Sequence, residues 1–519
     1  MLDVAAVGLD QGKYEYEMAP YDVRKLAETW AAKCTSAVMK EVFAKAARGE
    51  LKAEKAQVAA LQAAGVRCLG TTKDKSYRQV FEQVLADKNE IVRVSAAEVL
   101  GTLGDDGAAP ALIAVLERES VDAVLIAAVD ALRELYKPHK EKASVFTPSE
   151  APKAKPAEGG AADAGGDKAE PSTPATPAAP APAPAAPAAA PPAELPESVR
   201  LAVRAAQQAL GRTTWRADMA LLRLLDDFRS LETVPALIGV LEHFWKNPDQ
   251  VKSGKLSGLM LYQAHELLVS MTGAVHPADQ PEKWRAFWDA EKDKISVTQK
   301  RAPKVEHTIV DRGFCGIPVQ GTRVVFVVDL SGSMQWPMDE DAGDGKKKKS
   351  VRLDFAKREL IRAIDGISPS AQFNLITFNG NPKAEAWKPD MVPATAKNRQ
   401  AFKDYVGGLR ADGGTNLWSG LETALKIKSI VYGNRYTSNI DELFVLSDGA
   451  PTVGDVQDPV EILRLVQECN KFASVRINTI FISSATPPEA RAAEPKMSKT
   501  PQELMRTMAT DNKGQFREL

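Results

Sequence analysis

Asp329, Ser331 and Ser333 set three oxygen-bearing side chains at alternate positions, directly behind an unbroken apolar run from Val324 to Val328. Oxygens at i, i+2 and i+4 on a loop can converge on one hard cation. Two further polar clusters follow, Asp412-Gly413-Gly414-Thr415-Asn416 and Ser447-Asp448-Gly449, the second directly behind Leu443 to Leu446. Asp329, Ser331, Ser333, Thr415 and Asp448 together offer two carboxylates and three hydroxyls, with neither histidine nor thiolate. That donor set suits magnesium or manganese, with calcium as a third fit, and disfavours zinc and copper. Two carboxylates only balance a divalent charge, and hydroxyls are neutral. A metal held this way stays electrophilic enough to take an anionic ligand from outside. The competing expectation is that Asp329 and Asp448 serve only as turn residues and caps.

The elements around these residues must bring them together. An apolar run without polar alternation reads as a strand buried on both faces, as in a parallel sheet covered by helices. Strands are expected at 324–328, 373–378, 443–446 and 477–482. Leu353, Ala356, Leu360 and Ile364 form a helical stripe between the first two, and Asp458, Pro459 and Glu461 read as N-cap, N1 and N3 of a helix running to about Phe472. Residues 305–519 thus form an α/β domain of Rossmann-like type, a parallel-rich sheet with helices on both faces. Ligands in such sheets bind at the carboxyl ends of the strands, where all three polar clusters fall. The acidic and then lysine-rich stretch from Asp339 to Lys349 reads as a solvated, mobile loop beside them, with a partner-selecting loop as the alternative.

Upstream, the chain divides by composition. Residues 20–136 read as helices, with an echo in which Leu69-Gly70-Thr71 returns as Leu100-Gly101-Thr102, about 31 residues on. Residues 137–196 are dominated by glycine, alanine, lysine and proline, too poor in apolar surface to order, and read as a disordered Pro/Ala-rich linker keeping two modules apart. Residues 197–295 return to helix, where Trp284, Phe287 and Trp288 share one face suited to core packing.

With 519 residues and 44% hydrophobic content, the chain can build several cores. Its 67 Lys plus Arg nearly cancel 68 Asp plus Glu, so no field or basic stripe favours nucleic acid or an anionic membrane. Cys34, Cys68, Cys315 and Cys469 lie far apart and read as buried free thiols. No apolar stretch is long enough for a membrane helix, and Met1 to Met18 lacks a signal-like core. The expected location is cytoplasmic, or exported if the true N-terminus lies upstream.

Asp329-Leu330-Ser331-Gly332-Ser333 fits the Asp-x-Ser-x-Ser of the von Willebrand factor type A (VWA) family, Thr415 fits its single threonine, and Asp448 its distal aspartate. The C-terminal part therefore resembles a VWA domain with an intact metal-ion-dependent adhesion site (MIDAS). Val92 to Gly101, Leu103-Gly104-Asp105 and Ala109-Pro110-Ala111-Leu112-Ile113 resemble bacterial HEAT-like repeats. These resemblances imply a non-enzymatic scaffold of bacterial multidomain type, in which a partner's Asp or Glu carboxylate completes the metal site and the repeats hold a second protein. An accessory subunit of an AAA+ ATPase or chelatase-type complex is the alternative, followed by a metal-dependent hydrolase. Against the hydrolase, Asp329 has no second acid two residues on, His307 is the one histidine of residues 305–519 and precedes the sheet, and no GxxxxGK[ST] loop occurs.

Overall fold

The computed structural model describes residues 20–55, 57–144, 196–295, 313–341, 347–425, 439–483 and 497–519. The proline-rich segment and His307 lie outside them. Helices Val58–Thr71, Glu90–Leu103 and Asp122–Leu135 stack in register, an even step that matches the echo in the sequence. The repeated glycines explain the step. A Cβ on Gly70 would lie 2.5 Å from Val99 Cγ2, and one on Gly101 would lie 2.6 Å from the Ala131 Cα, so only glycine lets the helices approach this closely. Ion pairs stitch the same layers, Arg67 to Glu98 at 2.6 Å and Arg93 to Glu119 at 2.8 Å.

The two helical regions form one body, which corrects the expectation of modules held apart by a spacer. A single buried apolar cluster runs from Ala27 to Trp288. Arg133 Nε donates to Asp227 Oδ2 at 2.7 Å, and the Tyr136 and Phe228 rings meet edge to face with centroids 6.0 Å apart. The cause is general to stacked helices: a terminal repeat leaves an apolar face that the next element must cover. Helix also continues over Lys137–Ser144, inside the stretch read as linker. Trp284 and Trp288 are buried in this body, as their spacing suggested.

The C-terminal domain opens on a short antiparallel ribbon, β1 Gly313–Phe314 with β2 Ile317–Pro318. Its main sheet, seven-stranded among the described residues, is built from β3 Arg323–Asp329, β6 Gln372–Phe378, β7 Glu385–Ala386, β8 Val392–Pro393, β9 Glu442–Ser447, β10 Arg476–Phe481 and β11 Phe516–Glu518, in the order β11-β10-β9-β3-β6-β7 with β8 also on β6. The five long-range neighbours β11, β10, β9, β3 and β6 pair in parallel, while β7 and β8 run antiparallel. Strand β3 explains its own apolar run. Val324, Phe326 and Val328 pack with Leu353, Ala356 and Leu360 on one face, and Val325 and Val327 pack with Leu421, Ile462 and Met508 on the other. The Asp458 side chain accepts from the Glu461 N–H and caps helix Pro459–Asn470.

The acidic and lysine-rich stretch differs from the loop expected. Strands β4 Pro337–Asp341 and β5 Lys347–Val351 form an antiparallel ribbon in which Asp339 faces Lys349 and Glu340 faces Lys348. Opposite charges brought face to face by antiparallel register favour the ribbon, and neither run alone reveals that pairing.

The helical body docks on the sheet at the end where β3 and β9 begin. Asp441, fully buried just before β9, accepts from Ser257 Oγ at 2.6 Å, from Thr322 N–H and Oγ1–H at 3.0 and 2.9 Å, and from Arg323 N–H at 2.9 Å. Arg323 Nη1 donates to the Lys252 carbonyl at 2.9 Å, and Gly258 presses on the Gln320 carbonyl with no room for a Cβ.

Candidate metal centre

The opposite, carboxyl end of the same strands gathers the predicted oxygens. Parallel pairing of β3 with β9 delivers Asp329 and Ser447 side by side, and Ser447 Oγ donates to Asp329 Oδ2 at 2.6 Å. The loop behind β3 then turns sharply. Leu330 N–H donates to the Phe378 carbonyl at the end of β6 at 2.7 Å, and Ser331 N–H donates to Asp329 Oδ1 at 2.7 Å. The glycine-rich loop closes over it through Asp412 N–H to the Leu330 carbonyl at 2.7 Å and Gly332 N–H to the Gly413 carbonyl at 2.9 Å. Gly413 adopts φ +77°, a conformation that disfavours any side chain.

Four of the five predicted residues are linked directly. Ser331 Oγ and Ser333 Oγ are 3.1 Å apart, and Ser333 Oγ donates to Asp448 Oδ1 at 2.8 Å. Thr415 reaches the same edge through its backbone, with its N–H donating to Thr452 Oγ1 at 3.0 Å and its carbonyl accepting from Thr452 N–H at 2.9 Å. Asp329, Ser331, Thr415 and Asp448 are all buried.

Two further groups, Ser447 and Arg352, complete the site without belonging to the five-residue pattern. Arg352, the first residue of helix Arg352–Gly366, is fully buried and donates from Nη1 to Asp448 Oδ2 at 2.7 Å, with its guanidinium 5.2 Å from the Trp336 ring centre. A cation in a first helical turn opposes the helix dipole. That misfit was a legible hint of a buried carboxylate partner, although not of which one.

The electrostatics show unmet demand for positive charge. Burial, and then the neighbouring Asp448 charge, push Asp329 up to about 7. Burial also raises Asp448, against the pull of Arg352 downward. The spacing is suited to a cation as well. Six-coordinate magnesium at about 2.0–2.1 Å from its oxygens places neighbouring ligands roughly 3 Å apart, close to the two separations seen here. Among the described residues no three His, Cys, Asp or Glu side chains cluster to hold a metal, so this set depends on its hydroxyls.

Comparison with known proteins places these features in families. Residues 324–517 match the model of the von Willebrand factor type A domain, and residues 51–133 match HEAT repeats. The chain is 34% identical over 148 residues to cattle (Bos taurus) inter-alpha-trypsin inhibitor heavy chain H4, covering 28% of this chain and 14% of that protein. It is 33% identical over 155 residues to the human (Homo sapiens) H4 chain, covering 30% and 15%. The match therefore spans about one seventh of those relatives' length. Among solved structures, a von Willebrand factor type A protein from Catenulispora acidiphila aligns at 20% identity and TM-score 0.26 over 38% of each chain. Proximal thread matrix protein 1 from the mussel byssus, with a zinc-occupied MIDAS motif, aligns at 15% identity and TM-score 0.24 over 41% of this chain and 43% of that one. Scores this low add nothing beyond the match itself. Among the described residues no helix is long and apolar enough to cross a membrane. The C-terminal part of this chain is a von Willebrand factor type A domain, carried behind an N-terminal helical region that contains HEAT repeats.

Proposed function

We propose that Asp329, Ser331, Ser333, Thr415 and Asp448 hold a divalent cation, magnesium or manganese by donor chemistry, and that the domain uses it to capture an acidic group of a partner protein. Domains of this type commonly bind a divalent metal and mediate protein contacts. The observation that carries the reading is the linked oxygen set of Ser331, Ser333 and Asp448 beside Asp329, whose pKa is raised. Arg352 sharpens the charge argument. Two ionised aspartates and one guanidinium leave a single negative charge, so a divalent cation would make the centre net positive and attractive to a carboxylate. A bound metal would supply a Lewis-acidic coordination position. The chain's own groups orient it: Asp329 through Ser447, Asp448 through Arg352, and the serines through the clamp of Gly413 on Gly332.

This reading makes the protein a non-enzymatic scaffold, with the helical body as a second binding surface. Affinity capture from native lysate with magnesium and with EDTA tests it. Metal-dependent capture lost in Asp329→Ala is the expected result. Capture indifferent to both, with no thermal response to magnesium, manganese, calcium or zinc, sinks the idea. Turnover in a phosphatase and esterase panel that Asp329→Ala abolishes would overturn the non-enzymatic part.

A further inference from the structure

A cleft of about 300 Å³ opens along the seam between the helical body and the VWA domain, away from the metal centre. Arg223, on helix Trp215–Asp227, lines it from the helical side. Lys471, Arg476 and Lys513 line it from the VWA side with two carboxylates, Glu468 and Asp511, and Lys471 is already paired with Glu98 of the helical body. The guanidinium groups are under-satisfied. Arg223 Nε and Nη1 and Arg476 Nε are buried with no hydrogen-bond partner. The nearest carboxylate to Arg223, Asp130, stands 3.6 Å from Nη2 and is 45% exposed, so water screens much of that attraction. Lys513 sits at the mouth. Its residue surface is exposed, yet the cleft walls, and then the Arg223 charge, lower its ammonium to about 7.

A buried donor without an acceptor is costly, and a charged donor more so. Water in the cleft could accept these hydrogen bonds, but an ionised oxygen makes the stronger, charge-assisted bond to a guanidinium. Because the donors come from opposite walls, the ligand must present oxygens in several directions, as a tetrahedral oxyanion does and a planar carboxylate does not.

We propose that this seam is a binding site for a phosphate-type oxyanion, held between Arg223 of the helical body and Arg476 and Lys513 of the VWA domain. Such an anion would bridge the two parts and make them harder to separate. The proposal is independent of metal binding at Asp329.

The test is calorimetric and thermal titration of the full chain with inorganic phosphate, in EDTA, at ionic strength matched with chloride. Saturable binding and a raised Tm are expected, with acetate giving neither. Arg223→Gln should weaken phosphate by about tenfold or more. Lys513→Asn, chosen because asparagine tolerates the φ of +58° found there, should weaken it several-fold without disturbing the turn. Asp329→Ala should leave it unchanged. No saturable phosphate binding overturns the proposal. So does acetate binding as well as phosphate, or phosphate binding that survives both seam substitutions.

Discussion

Strand β9 has acidic residues at both ends, and the two ends treat them differently. At its start, Asp441 and Glu442 accept from four backbone amides, those of Thr322 and Arg323 on Asp441 and of Gln320 and Gly321 on Glu442, beside the Ser257 and Thr322 hydroxyls. At its finish, Asp448 and the adjacent Asp329 take one such amide, that of Ser331, and otherwise rest on the Ser333 and Ser447 hydroxyls and the Arg352 guanidinium. An amide can only donate and cannot turn away. A serine hydroxyl can rotate and present its lone pairs to a newcomer. The first pair is therefore framework, and the second is available to a ligand.

Substitution should separate the two ends most clearly at the framework end. Asp441→Ala leaves the Thr322 and Ser257 groups without their acceptor in a buried joint. It should lower Tm by on the order of 10 °C, equally with magnesium and with EDTA. A loss that magnesium repairs would erase the distinction.

Arg352→Met comes next. It leaves Asp448 buried without its guanidinium, a loss of about 3 kcal/mol in the metal-free protein. Magnesium should recover more of that in the variant than it adds to the unmodified chain. Equal magnesium gains by chemical denaturation would show that Arg352 does not balance the centre.

The third comparison uses pH. Asp329 titrates near 7 in the folded chain, above an ordinary aspartate. Between roughly pH 4 and 7 the folded state keeps a proton that the unfolded state has released, so this stabilisation fades as pH rises through 7. Asp329 alone should cost the metal-free protein on the order of 2 kcal/mol between about pH 5.5 and pH 8. Asp329→Asn should remove that share of the slope, leaving the shares of Asp218, which burial pushes up to about 7, and of Asp448 and Glu442, which burial also raises. Magnesium should stabilise more at the higher pH, where no proton competes. An unchanged slope in the variant breaks the assignment.

The smallest effect belongs to the charged ribbon. Lys349→Glu places like charges opposite each other at Asp339 and should cost about 0.5 kcal/mol, with Asp339→Lys restoring it in the double variant. A double-mutant cycle without coupling would show that the ribbon does not depend on its charges.

Much of the carboxyl edge was legible in the chain because its signals are local. An apolar run ending in Asp329, Ser331 and Ser333 announces a buried strand and its exit, and a glycine pair before Thr415 announces a tight turn. The paired Leu-Gly-Thr triplets likewise announced the helical stack, since the glycine is needed wherever two helices touch. What stayed hidden depends on contacts far apart in sequence. Arg352 finds Asp448 only after the sheet assembles, and Ser257 finds Asp441 only after the helical body docks. The acidic and basic runs of the ribbon looked solvated because their neutralising partner is each other, in a register no single run encodes. The proline-rich segment misled in another way: its composition describes itself, not how closely its two flanks pack.

The joint at Asp441 has a mechanical consequence. Strands β3 and β9 run side by side from that joint to Asp329 and Ser447, so a tug applied at the carboxyl edge travels along covalent backbone to the anchored end. Tension directed this way does not peel one strand from the next, and the sheet bears it as parallel cables bear a load. The same pull applied across the strands, at β11 or β7, would meet only a few ladder bonds in turn.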